Sequence, residues 1–419
     1  MKLNEDSSNI DFSVDTMKKH AVDIILPYWE KYSRDMKNGG FYGSIDNDNN
    51  QDVEISRSIV MTSRFLWAYS AAARTLDDSS YLDMASFAYD TILNNFLDSK
   101  NGGVFWSVKP SGLVDVSKKQ IYGQAFAIYG LSEYAAAMMD LKNNSEKATE
   151  AMNLSLDLYF LLEKYALEKD FGGYVEACAE NWDETSDLKL SEKDIDCCKS
   201  MNTNLHVMEA FTNLHKTLKV VFPEKNELKN KIAKSLSDLV KITVKYILQD
   251  KHLNLYFDKD WTSLNNIISF GHDIEASWLL QEAVEELADK KLEEAIRKDI
   301  LKLVDSTFDE GLDSENLGLC NEFVHDKLDE NRIWWVQAEG VTGFYNAYQM
   351  TGNEKYLLAA KNIWKWICEN QVDYKNGDWF AVVSKEGNPI LTEDKGGNWK
   401  TAYHNVRLCL EMIRRLSNK

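Results

Sequence analysis

Proline is nearly missing from this 419-residue chain, which has only four. That excludes Pro-rich linkers and frequent helix breaks, because proline removes a backbone donor and fixes φ. No Pro/Ser/Gly-rich stretch separates two halves, so we expect one domain over residues 1–419. Long apolar runs are also absent. None approaches the ~20 residues that a membrane-spanning helix needs. Positive charge is in deficit, with 48 Lys and Arg against 67 Asp and Glu, for a formal net charge of -19. Nucleic acid is therefore excluded as an expected partner, since phosphate binding needs clustered cations. A neutral small molecule suits the charge better than a polyanion. The six cysteines form no CxxC pair, and adjacent Cys197 and Cys198 lack metal-ligand spacing. Reduced thiols in a cytoplasmic protein are the expectation. The start, MKLNEDSSNIDFS, lacks the basic and apolar regions of a secretion signal. There is no GxxxxGK[ST], no GxGxxG after a strand and no GxSxG, so nucleotide and serine-hydrolase chemistry have no local support.

What is present is helical periodicity. TSRFLWAYSAAARTL, SYLDMASFAYDTILNNFL, LHVMEAFTNLHKTLKVV and EKYLLAAKNIWKWICENQ repeat apolar residues at three- and four-residue steps. Strand signals are short and follow glycine, as in GGFYGSID, GGVFWSV, GGYVEA and GDWFAVV. One kind of segment then recurs six times: SRFLWAYSAAAR, IYGQAFAIYGLSEYAAA, NTNLHVMEAFTNL, FGHDIEASWLL, WWVQAEGVTGFYNAYQ and WKTAYHNVRLCLEMI. Copies lie roughly 60 to 85 residues apart, room for a helix pair and a loop. Six helix pairs predict an all-α fold, an (α/α)6 barrel with short β-hairpins in loops at one end. The small-residue segments would form the inner ring. Parallel inner helices bring six N-termini to one mouth. The acidic stretch from Cys178 to Ser200 reads as a long loop over that mouth.

The segment starts contribute Arg64, Tyr122, His206, His272, Trp335 and His404, which places three of seven histidines at equivalent points of the repeat. Histidines at one mouth suit acid/base work near neutral pH. His20, His215, His252 and His325 fall outside the pattern and read as structural. Zinc is a minority reading, because no HExxH or other close-spaced pair occurs. Trp335 and Trp399, with Trp106, Trp182 and Trp261 in or near loops, offer faces for a sugar. Glu209, Glu275 and Glu339 lie on inner segments. They could act as a hydrolytic carboxylate pair or orient neighbouring histidines. His272 and Glu275 are three apart and share a helix face.

MNTNLHVMEAFTNL, SFGHDIEASWLL, WWVQAE and NWKTAYHNVRLCLE, with TSRFLWAYSAAAR and IYGQAFAIYGLSEY, resemble the cellobiose 2-epimerases of the N-acylglucosamine 2-epimerase superfamily. The resemblance runs in order over nearly the whole chain. It implies an (α/α)6 barrel and reversible epimerisation at C2 of the reducing-end glucose of β-1,4-linked disaccharides. Cellobiose would give glucosyl-mannose, and lactose would give epilactose. No cofactor or metal is implied, and a monomer is expected. The resemblance makes His272 and His404 the two bases of a cis-enediolate mechanism, both near neutral pKa, and His206 the aid to ring opening. Arg64 would stabilise the enediolate oxygen. Glu275 would orient and tune a neighbouring histidine. Trp335 and Trp399 would border the sugar, Tyr122 and Asn202 would hydrogen-bond it, and Asp194 would approach it from a loop.

Three departures from the family pattern occur: Asn204 in place of a histidine, Thr401-Ala402 in place of Cys-Pro, and Val406 in place of a small residue. Competing readings are a mannobiose 2-epimerase, an N-acetylated-sugar 2-epimerase, an aldose–ketose isomerase acting on mannose, a glycoside hydrolase on the same barrel, and a non-catalytic sugar binder.

Overall fold

The structure is a computed structural model and describes residues 11–191, 194–313, 317–324 and 326–417. In chain order the helices are α1 (Val14–Lys19), α2 (Leu26–Tyr32), α3 (Ile59–Leu76), α4 (Leu82–Thr91) and α5 (Ile121–Lys142). Then come α6 (Ser145–Leu161), α7 (Met201–Val221), α8 (Asn226–Ile242), α9 (Phe270–Leu287) and α10 (Lys290–Ser306). The last are α11 (Trp334–Thr351), α12 (Glu354–Trp366) and α13 (Tyr403–Ser417). A π turn over His20–Ile25 joins α1 to α2 as one continuous helix. The (α/α)6 barrel is therefore the observed fold. Helices α3, α5, α7, α9, α11 and α13 form the inner ring, each packed on the next, and α13 closes the circle against α3.

The sequence dictates which helix lies inside. In α5, every residue from Ile121 to Met138 is buried, because Ala, Gly and aromatic side chains face neighbours on all sides. On outer α10, Leu292, Ile296, Ile300, Leu303 and Val304 make one buried stripe, and Lys and Glu cover the rest. Close inner packing depends on two glycines. A Cβ on Gly130 would lie 2.7 Å from the Ser63 carbonyl of α3, and one on Gly343 would lie 2.7 Å from the Ile274 carbonyl of α9.

The hairpins gather at the mouth. The strand entering each inner helix pairs antiparallel with a strand of a neighbouring loop: Arg57–Ser58 with Ser107–Val108, Lys119–Gln120 with Ala177–Cys178, Lys199–Ser200 with Tyr256–Phe257. Ile268–Ser269 pairs with Phe323 and Glu322, and Arg332–Ile333 with Val382–Val383. Gly396–Gly397 pairs back to Ser44–Ile45, which closes this second ring. These ladders fix where each inner helix starts. Among the described residues, no helix is long and apolar enough to cross a membrane.

Candidate active site

Each inner helix sends its first two turns into the barrel mouth. His206 is the sixth residue of α7, but His272 is the third of α9 and His404 the second of α13. The expected equivalence of the three histidines is thus corrected. His206 sits one turn deeper, at the level of Arg64, Glu275 and Glu339, each also the sixth residue of its helix.

The imidazoles nevertheless come together around aromatic rings. His272 and His404 both pack on Trp335, with ring centroids 4.8 and 5.7 Å away. His206 packs on Tyr122 and Phe126 at 5.1 and 4.9 Å. Tyr122 in turn lies 6.0 Å from Trp399, which is 39% exposed and so presents a face at the rim. Arg64 donates to the Tyr122 hydroxyl at 3.0 Å and to the Trp399 carbonyl at 2.6 Å. Its Nε is buried without a protein partner. Asn202, Asp194 and His272 line one small enclosed cavity of about 60 Å³ beneath the loop preceding α7. The Asn202 Oδ1 is likewise unpartnered there. Asp194 accepts a bond of 2.6 Å from the Tyr256 hydroxyl.

Each histidine is fixed through Nδ1. His206 meets Glu209 at 2.7 Å and His404 meets Glu339 at 2.7 Å. With Nδ1–H donating to the carboxylate, Nε2 is the basic nitrogen. His272 instead meets the Ser269 hydroxyl at 2.7 Å. Ser58 and Ser200, in the same place before α3 and α7, cap their helices by accepting from Met61 and Thr203 N–H. Ser269 makes no such cap. Its hydroxyl is spent on the histidine, and the helix forgoes a cap of about 1 kcal/mol.

Glu275 does not touch His272 as the shared helix face suggested. It belongs to a buried charge cluster around Arg407. That guanidinium bonds Glu209, Glu275 and Glu339, the last at 2.7 Å, and lies over the Tyr403 and Trp278 rings at 4.4 and 4.9 Å. Burial pushes both Glu275 and Glu339 up, Glu275 to about 7 with Glu339 as its charged neighbour. Glu339 faces three donors: Arg407, His404 and the Trp278 Nε1–H at 2.9 Å. It therefore keeps the negative charge, and Glu275 holds the proton. Glu209 is held down at about 2, where Arg407, His206 and Tyr403 outweigh its burial.

His272 and His404 are not poised near neutrality. Burial, with His206 nearby, lowers His272 to about 3. Burial and the Arg407, Arg64 and His206 charges hold His404 well below the usual imidazole range. Both are therefore neutral imidazoles near pH 7.

Arg407 and Tyr403 escaped the sequence reading. The available signal was an arginine three residues after His404 in the otherwise apolar VRLCL. Glu275, Glu339 and His404 are also the one group among the described residues whose atoms could converge on a metal ion. Arg407 already bonds both carboxylates and supplies the compensating positive charge.

The remaining histidines are structural: His20 accepts from the Trp379 Nε1–H, His215 meets Glu286, and His252 meets Asp273. His325 lies outside the described residues. Trp182 and Trp261 are buried and donate to loop carbonyls, whereas Trp106 stands 6.2 Å from Trp399 at the rim. Asn204 is a clamp, its amide bonding both the N–H and the C=O of Tyr174.

Comparison with known proteins agrees with this fold. A family model, N-acylglucosamine 2-epimerase (GlcNAc 2-epimerase), matches residues 40–407. The chain belongs to the N-acylglucosamine 2-epimerase family. Within that family, it is 36% identical over 401 residues to a cellobiose 2-epimerase of Bacteroides fragilis, covering 95% of this chain and 97% of the relative. The solved cellobiose 2-epimerase from Spirochaeta thermophila superposes with a TM-score of 0.87 at 37% identity, covering 97% of this chain and 96% of that one. A D-mannose isomerase of Marinomonas mediterranea is 24% identical over 390 residues, 90% of this chain and 92% of that relative.

Proposed function

We propose that this member of the family is a cellobiose 2-epimerase, acting as one catalytic domain without metal or cofactor. The observation that carries the reading is the pair of neutral imidazoles, half-buried His272 and buried His404, both packed on Trp335. A C2 proton becomes acidic only beside a carbonyl, so the reducing-end ring must first open. His206, held by Glu209, assists that opening at O1 or O5. One imidazole then removes the C2 proton, giving a cis-enediolate. The other, once it has taken a solvent proton at Nε2, delivers that proton to the opposite face, and the first imidazolium releases the C2 proton to solvent. An uncharged imidazole suits the first task because it is already deprotonated. Arg64 meets the developing oxyanion with a positive charge in a dry site. Trp399 at the rim borders the sugar, and Asn202 and Asp194, which share a cavity with His272, contact its hydroxyls.

An aldose–ketose isomerase shares the same intermediate and differs only in where the proton returns, which makes it the second reading. Hydrolysis fits less well. It needs two carboxyl groups flanking the scissile bond, but Glu209, Glu275 and Glu339 all turn onto Arg407. Incubation of the purified protein with cellobiose, followed by chromatography of the sugars, tests the proposal. The expected product is glucosyl-mannose. A keto-disaccharide alone would favour the isomerase, and free glucose would overturn the proposal.

A further inference from the structure

Four loops at the mouth whose residues are all described share one geometry. In 35–40, 98–103, 168–173 and 373–378, the N–H of the first residue donates to the carbonyl of the sixth at 2.8–2.9 Å. The first residue, Asp35, Asp98, Glu168 or Asp373, pairs with a buried cation from the strand or segment ahead of an inner helix: Arg57, Lys119, Lys199 or Lys395. The sixth residue is left-handed, and in three loops it is glycine: Gly40, Gly103 and Gly173, with φ of 72°, 80° and 77°. In the fourth it is Asp378, with φ of 55°. A residue with a side chain is disfavoured in that conformation. Its carboxylate therefore needs a reason to be there.

The neighbours of Asp378 supply one. In sister repeats an inner-helix amide clamps the loop backbone: Gln124 bonds Val104 N–H and C=O, Asn204 bonds Tyr174, and Gln337 bonds Leu319. In the last repeat this contact is replaced. Asn405 donates to the Asp378 Oδ1 at 2.6 Å, and Oδ2 pairs with Lys400. Lys400 is an additional cation, because Lys395 already fills the sister role. It lies over Trp29 and Trp334 at 5.4 and 5.9 Å. Asp378 and Asn405 are fully buried, and Lys400 is almost so. Asn405 directly follows His404, and Lys400 directly follows Trp399. The exchange occurs in the one repeat whose inner helix begins with a proposed base and whose entry carries the rim tryptophan.

We propose that Asp378 is a positioning residue for the reaction: one carboxylate oxygen fixes Asn405 and with it His404, and the other fixes Lys400 and with it Trp399. The inference rests on the epimerase reading. The bland alternative is that Asp378 only neutralises a buried lysine. Removing both charges separates the two.

The test compares two doubly substituted proteins, Asp378→Gly with Lys400→Met and Asp378→Asn with Lys400→Met. Neither leaves a buried charge unpaired. Glycine suits the backbone, as in the sister loops, and asparagine keeps an acceptor for Asn405. The Asp378→Gly variant is expected to fold and to lose about 100-fold in kcat on cellobiose, the scale of a misplaced reacting group. The Asp378→Asn variant is expected to recover most of that loss in kcat, while both variants share a KM raised above the parent's because both lack Lys400, and an unchanged KM would overturn the Trp399 half of the proposal. Equal kcat in the two, whether high or low, would overturn the proposal. The unsubstituted protein is assayed alongside, so failure of the epimerase reading shows as an inactive parent. In that event the His404 ring resonances in nitrogen–proton NMR give the answer. They must move in the glycine variant and stay in the asparagine variant, and the same shift in both would overturn the assignment.

Discussion

Nδ1 of His404 lies 2.7 Å from Oε1 of Glu339 on the adjacent inner helix. That carboxylate also receives Trp278 and Arg407, so it cannot swing away without unpairing two buried donors. The relationship fixes both the ring orientation and the tautomer of the proposed base. Glu339→Gln keeps the shape but removes the charge and offers the wrong partner in one of its two orientations. We expect kcat to fall by about 100-fold with KM within about 3-fold of the parent. Steady-state kinetics on cellobiose checks this. A loss confined to KM would contradict it.

Ser269 is the corresponding support of His272, and it is not serving as a helix cap. Ser269→Ala should therefore alter stability by less than about 0.5 kcal/mol, unlike an ordinary cap deletion. The kcat should still fall by about 10-fold, because the imidazole loses its orienting bond. Urea unfolding and kinetics on the same variant distinguish the two effects.

Glu275 is read as the protonated member of its pair, so Glu275→Gln mimics the state it already occupies below pH 7. Activity at pH 6 should stay within about 3-fold of the parent. The pH dependence of stability has a definite sign. A carboxyl raised from 4.5 to about 7 binds more protons folded than unfolded between those values. Its contribution is full below 4.5, is lost as pH rises to 7 and is constant above. The parent should therefore lose stability relative to Glu275→Gln over that interval. Melting temperatures of both proteins at pH 5, 6 and 7.5 check this: the parent's should fall relative to the variant's as pH rises, and a relative rise would contradict it.

Arg407 compensates three buried carboxyl groups. Arg407→Met leaves Glu209 and Glu339 charged, buried and without their guanidinium partner, at a cost of about 3–5 kcal/mol. Chemical denaturation measures this. A change below about 1 kcal/mol would mean that solvent, rather than Arg407, stabilises the cluster.

Much of this was legible because the repeat encodes it. Six small-residue segments gave six inner helices, and the glycine-led strand signals gave the hairpins at the mouth. The convergence of His206, His272, His404, Arg64, Tyr122 and Trp335 followed from the direction of the inner helices. What failed was local. The i, i+3 spacing of His272 and Glu275 places both on one helix face, but their partners are chosen across the barrel. Glu275 turns to Arg407 on α13, and His272 turns back to Ser269. Glu209 and Glu339 do orient histidines, yet Glu209 meets one on its own helix and Glu339 meets one on the next. No spacing rule separates those cases. Depth failed similarly, since His206 and His404 both open their segments in sequence but differ by a turn. The neutrality of His272 and His404 was missed because it depends on desolvation by the surrounding barrel and, for His404, on the nearby guanidinium groups. Asn204 is explained by contact with Tyr174, a loop residue 30 positions away.

The central claim is that His272 and His404 exchange the C2 proton of a reducing-end sugar. Proton NMR of cellobiose with the protein in deuterated buffer tests it most directly, with His272→Ala and His404→Ala measured in parallel. The account predicts a mannose-type reducing end carrying deuterium at C2, formed by the parent and lost in both variants. Cellobiose and product that retain a full C2 proton signal, or turnover that survives both substitutions, would contradict it.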